Sequence, residues 1–253
     1  MKFDLYTWQA RVFPSILFMF PIILELNCVM AKFDLFIEIS APVLTNTILT
    51  AFVFLMANWC RYLGRKKEKI LFEKWNGPPT TRFLRYSDTE YNSAQKEQLR
   101  GILINMFSDL SMPSKTIEKN RPTDADKVYE TYVNNLKGLT RDSKKFYLLH
   151  SENRNYGMWR NLYGLKALSI VILTLLCIAN VFLRVIMKND AFLLDSIILN
   201  SVFIVIAILW LTIVTLSKVK DVAACYAHRL FETVVILKTA EIKNTSKATN
   251  IVT

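Results

Sequence analysis

The sequence predicts an all-α integral membrane protein with four transmembrane helices and a mostly helical cytoplasmic insert between spans 2 and 3. Three observations predict it. The chain has 253 residues, 52% of them hydrophobic, and the apolar ones are bunched into four nearly uncharged stretches at 13–30, 43–62, 167–186 and 197–216. Each is close to the ~20 residues that a helix rising ~1.5 Å per residue needs to cross a ~30 Å hydrocarbon layer. The basic residues are sorted around those stretches. Of 32 Lys and Arg, 29 fall in 1–12, 61–166 and 217–253, leaving Lys32, Arg184 and Lys188 elsewhere. Cationic side chains resist translocation, so both termini and the middle segment are expected inside the cell. The middle segment, 63–165, is polar enough to fold in water and long enough for a small domain.

The first hairpin is expected over 1–62. Its leading segment carries Asp4 and only Lys2 and Arg11, so it reads as a retained span rather than a cleaved signal peptide. Pro14 and Pro21 are expected to bend this first helix, making it the most mobile element. The run Arg61, Arg65, Lys66, Lys67 and Lys69 after the second span is a stop signal. It also suits anionic headgroups, at roughly 1 kcal/mol per residue. The outer connections, 31–42 and 187–196, are too short for an outer domain, which places any chemistry or recognition inside.

Within the insert, 66–75 reads as a helix continuing from the second span and stopping at Asn76-Gly77-Pro78-Pro79, where two prolines remove donors. Ser87 or Asp88 is the expected cap of a next helix bearing Leu99, Ile102, Leu103 and Met106. Thr123, Asp124 and Asp126 open another, bearing Tyr129, Tyr132, Val133 and Leu136 and closing at Gly138. From Ser143 a helix is expected to run into the third span, with a break or bend at Gly157 or Gly164. The second hairpin covers 166–216. After it, 217–253 keeps an amphipathic stripe through Val222, Tyr226, Leu230, Val234 and Leu237 before a polar, flexible tail. That stripe is expected to pack on the insert or on a neighbouring subunit.

Several chemistries lack their residues. The four cysteines (Cys28, Cys60, Cys177, Cys225) form no C-x-x-C pair, and they read as small buried hydrophobes. The six glycines are isolated, so no loop of Walker or G-x-G-x-x-G type can cradle a phosphate. The only histidines are His150 and His228. His228 and Glu232 stand one helical turn apart, which is two ligands and no closed metal site. Ser93 and Lys96 match S-x-x-K in letters alone. The chain is therefore expected not to be an enzyme and to carry no cofactor, metal or catalytic residue.

Two stretches have the composition of recognition surfaces. Trp75, Arg82 and Arg85 lie in one, and Arg154, Tyr156 and Arg160 in the other. Guanidinium groups fork onto phosphate oxygens and aromatic rings stack on bases, which suits a nucleotide-type ligand. The same residues equally suit anchoring at headgroups or packing between helices. Inside the spans, Glu25, Asn27, Asn46 and Asn58 are polar groups that avoid lipid, either by lining a path between several protomers or by hydrogen-bonding between helices.

The layout of four spans, a basic cytoplasmic insert and no enzyme motif resembles the small membrane effectors of bacterial antiphage (abortive infection) systems. The resemblance is architectural, covers the whole chain loosely and transfers no residue by position. It implies a homo-oligomer in the bacterial inner membrane that forms or gates an ion-conducting pore. Its cytoplasmic domain would sense a nucleotide-type signal, or be released by a cytosolic partner such as a nucleotidyltransferase. The alternative is a non-conducting anchor that recruits a cytosolic enzyme.

Overall fold

The computed structural model describes residues 5–32, 40–187 and 190–252, with side chains at 5–31, 43, 46–186 and 194–239. Of the expected outer connections, 33–39 and 188–189 lie outside these residues, and helices already begin at Ser40 and Asp190, inside the stretches expected to connect the spans. Among the described residues every regular element is helical. In order they are α1 (Leu5–Thr7), a π-helical turn (Trp8–Val12), α2 (Phe13–Lys32), α3 (Ser40–Lys74) and α4 (Pro79–Arg82). There follow α5 (Ser93–Met106), α6 (Lys115–Asn120), α7 (Pro122–Leu139), α8 (Tyr147–Met187), α9 (Asp190–Thr212) and α10 (Leu216–Val252). Among the described residues four segments are long and apolar enough to cross a membrane: Leu5–Ala31, Asn46–Arg82, Tyr147–Ile186 and Leu194–Thr212. The chain divides into two compact units, Met1–Ile70 with Arg154–Lys220, and Leu71–Asn153 with Asp221–Thr253.

The first unit packs Phe18, Val53, Ala57, Cys60, Leu165, Leu173 and Phe203 into one core. Its tightest approach is between α3 and α8. A Cβ placed on Gly164 would stand 2.6 Å from the Gly64 amide nitrogen, and one on Gly64 would stand 2.1 Å from Asn161 Oδ1. Small residues of this kind let two helix backbones come together where dispersion contacts and interhelical hydrogen bonds hold the pair. The expected break at Gly157 or Gly164 does not occur, since α8 is continuous from Tyr147 to Met187. Gly157 is needed for space instead, because its Cβ would stand 3.1 Å from both Ala10 Cβ and the Tyr6 hydroxyl. The last apolar helix ends at Thr212, short of 216, and Lys166 Nζ donates to the Leu211 and Val214 carbonyls at 3.1 and 2.8 Å. A lysine there satisfies carbonyls that have lost their helical partners and complements the negative helix end.

The second unit centres on Leu84, Leu103, Tyr129, Tyr132, Leu136 and Phe146. The α10 stripe packs on the insert, with Ala227, Leu230, Phe231 and Val234 in the same core. At the foot of α3, Asn76 and Gly77 take φ values of 59° and 108°. The Gly77 amide bonds the Phe72 carbonyl at 2.7 Å and the Asn76 amide bonds the Glu73 carbonyl at 3.2 Å, which is the Schellman arrangement. The cap of α5 is Asn92 rather than Ser87 or Asp88, and it makes a reciprocal capping box with Gln95. Asp88 is held elsewhere, by Arg82.

The two kinds of glycine should respond oppositely to a methyl group. Gly164→Ala drives a Cβ into the α3 backbone and is expected to destabilise by about 1–3 kcal/mol, as overpacking does. Gly138→Ala, on α7 with nothing within 4 Å of its Cβ position, is expected to stabilise by about 0.5–1 kcal/mol. Thermal unfolding of both variants in the same detergent checks the signs.

Candidate functional site

The second unit holds Trp75, Arg82 and Arg85. Trp75 is buried against Phe72, with ring centroids 6.0 Å apart. Arg82 Nη2 donates to Asp88 at 2.8 Å. Arg85 forks onto Asp126 at 2.8 and 2.7 Å, and its third nitrogen donates to the Asn76 carbonyl at 2.6 Å. Arg85 therefore braces the turn that ends α3, and an anion approaching either guanidinium would compete with a carboxylate already bound. Beside them lies a pocket of about 320 Å³ whose wall carries Arg85, Tyr86, Lys115 and Lys119 along with Glu118 and Asp126.

Glu118 and Arg100, which sequence patterning did not single out, organise this side of the unit. Buried Glu118 accepts from the Tyr86 and Ser87 amides at 2.9 and 3.1 Å and from the Tyr129 hydroxyl at 2.6 Å. Buried Arg100 donates to the Leu84 carbonyl at 2.6 Å, to the Tyr129 hydroxyl at 3.1 Å and to the Pro113 carbonyl, and lies 4.0 Å over the Tyr86 ring. The sequence held a signal: Lys96, Leu99, Arg100 and Leu103 share one helical face, so two cations sit in an apolar stripe. A charge at a core position needs partners on the facing elements.

The histidines make local bonds. His228 joins the Tyr91 hydroxyl at 2.9 Å and Glu90 Oε1 at 2.8 Å, with Phe83 at 5.0 Å. Burial first, then Glu232 and Glu90, push the Tyr91 phenol up to about 12. Glu232 pairs with Arg229 at 2.6 Å rather than with His228. His150 Nε2 meets the Thr140 carbonyl at 3.0 Å. Among the described residues no group of His, Cys, Asp and Glu is placed to hold a metal ion.

The first unit brings together Arg154, Tyr156 and Arg160 on α8. Tyr156 donates to Glu68 at 2.5 Å, and Arg160 Nη1 reaches both Glu68 oxygens at 3.2 Å. Arg160 Nε also donates to Asn161 Oδ1 at 3.3 Å, and Asn161 Nδ2 donates to the Ala10 carbonyl at 2.6 Å. Arg154 Nε donates to Gln9 at 3.3 Å. Comparison with protein-family models, curated proteins and solved structures finds no match to this chain.

Deeper in the apolar helices, Glu25 is buried and accepts from Asn180 Nδ2 at 3.0 Å, while the same amide lies 3.3 Å from Asn200 Oδ1. Asn27 donates to the Ile23 carbonyl at 2.7 Å and to Asn46 at 3.4 Å. Asn58 is exposed on α3. The structure thus joins Glu25 to α8 and α9, pairs Asn27 with Asn46, and leaves Asn58 on the surface of the chain.

Glu118 gives a pH dependence. Burial pushes its carboxyl up, but hydrogen bonds from Tyr129, Tyr86 and Ser87 outweigh that and hold it below the usual carboxylate range. A depressed folded value contributes stability above the unfolded value, about 4.3, and loses it as the pH falls through the folded one. Wild-type thermal stability should therefore fall below about pH 4.3, and the difference from Glu118→Gln should shrink over the same range. A difference independent of pH would contradict this.

Proposed function

We propose that the chain is a homo-oligomeric effector of the bacterial inner membrane acting in antiphage defence, with both termini and the second unit in the cytoplasm. A nucleotide-type signal, or a cytosolic partner of nucleotidyltransferase type, acts on that unit and opens an ion path among the apolar helices. The surface of the long helices supports membrane placement. α8 exposes more than half of Ile178, Val181, Phe182 and Val185, and α9 does so for Ile204, Val205, Ile208 and Leu211. Such a belt suits hydrocarbon and is unfavourable in water. The crowding of basic residues into 1–12, 61–166 and 217–253 supports the orientation.

The observation that carries the gating reading is helical continuity. α3 contains Val53 of the first unit's core and buried Leu71 of the second unit, and α8 contains Leu149 and Leu173 of the two cores. A change in the second unit then acts on residues joined to the apolar stretches by unbroken hydrogen-bonded backbone. The signal shifts such an equilibrium only by binding the open form more tightly than the closed one.

The anchor reading is favoured by one observation: Glu25 finds its partner within the same chain, so no wet path is required to satisfy it. Membrane potential separates the two. In bacteria carrying the gene with its neighbours, a potential-sensitive dye should report depolarisation soon after phage infection. Full protection with an undisturbed potential would reject the pore and leave the anchor.

A further inference from the structure

We infer that Arg11, Arg61 and Arg65 form a binding site for a phosphate group at the start of the first apolar helix and the end of the second. Arg11 stands just before Phe13, where α2 begins, and Arg61 follows Cys60 at the end of an apolar run, with Arg65 one turn further along α3. Both helices pass from charged to apolar sequence at these residues, so the guanidinium groups fall where a bilayer would present its phosphates.

Among the described residues the cluster has no paired carboxylate. Arg61 lies within electrostatic reach of Arg11, Arg65 and Arg160. Glu68, which stands on the same face of α3, is engaged by Arg160 and by the Tyr156 hydroxyl. No carboxylate among the described residues pairs with Arg11, Arg61 or Arg65. Arg11 adds an unmet donor: its Nε is buried with no hydrogen-bond partner among the described residues, while its guanidinium carbon lies 5.6 Å from the Tyr6 ring centre. An oxygen acceptor placed there would satisfy that buried donor. A phosphate answers both needs, since its oxygens accept from several guanidinium forks at once. The arginines of the second unit differ, because Asp88 and Asp126 already pair with Arg82 and Arg85. The inference is independent of whether the chain conducts.

The phosphate comes either from an anionic phospholipid or from a soluble phosphate ester, and two arms separate the sources. In the lipid arm, the full chain in detergent is delipidated and titrated with phosphatidylglycerol and phosphatidylcholine, and bound lipid is read by native mass spectrometry. In the soluble arm, the chain sits in phosphatidylcholine nanodiscs and inorganic phosphate is added while the thermal midpoint is followed. Preference for phosphatidylglycerol in the first arm identifies a lipid headgroup, and a midpoint raised by millimolar phosphate identifies a soluble source. The Arg61→Gln/Arg65→Gln variant should lose about fivefold or more in affinity per arginine removed. Lys67→Gln/Lys69→Gln removes the same charge from exposed positions on α3 and should bind nearly as wild type. If the double arginine variant fails to fold, Arg65→Gln alone, at an exposed position, carries the comparison. Equal losses in the arginine and lysine variants, or no phosphate response in either arm, would overturn the site.

Discussion

The first unit depends on the near-contact of two helix backbones at Gly64 and Gly164. Side chains beyond hydrogen would hold α3 and α8 apart, and everything one turn away follows from their closeness. Asn161 lies against Gly64 and is wholly buried, which lets its amide reach the Ala10 carbonyl in the π-helical turn. Glu68, four residues beyond Gly64, comes within reach of Tyr156 and Arg160 on the facing helix. An ion pair at a helix crossing contributes little unless its geometry is fixed, because desolvation opposes the attraction. Here the glycine contact fixes the geometry and the ion pair selects the register.

The same logic explains which charges remain available. Polar groups in both units are satisfied by partners on other elements: Arg85 by Asp126, Glu118 by Tyr129 and two amides, Glu25 by Asn180. Each of these bonds stabilises a particular arrangement of helices, and each removes a group from the set that could meet a ligand. A residue type that suits phosphate recognition is therefore a weak guide to a site until its internal partners are known. The arginines that look most like ligand residues in sequence are braced, while Arg61 and Arg65 of the stop signal pair with no carboxylate among the described residues.

That contrast marks how far the sequence was legible. The four apolar helices, the helical insert and the end of α3 at Asn76-Gly77 follow from hydropathy, periodicity and turn chemistry, all local properties of the chain. The apolar run reaches 216 through Ile213, Val214 and Leu216. The helix stops at Thr212, where Lys166 from a distant helix takes up the free carbonyls. The glycines of α8 were read through backbone flexibility, whereas their role is steric and lies across a helix interface. Pairings such as Arg85 with Asp126, 41 residues apart, carry no periodic signature and emerge only in the fold.

On the reading proposed above, a change in the second unit must alter packing among the apolar helices. Loops between the two would absorb small displacements through backbone torsions, whereas an unbroken helix resists bending because each turn is tied to the next by hydrogen bonds. α3 and α8 are unbroken where the chain leaves one unit for the other. Gly64 lies six residues before the boundary at Ile70 in α3, and Gly164 ten after the boundary at Arg154 in α8. A pair of helices in backbone contact has little room to slide continuously, so any rearrangement there tends to be a shift between discrete registers rather than a gradual drift. Discreteness is what a switch requires. Any other packing of α3 against α8 would have to be accommodated at this glycine contact.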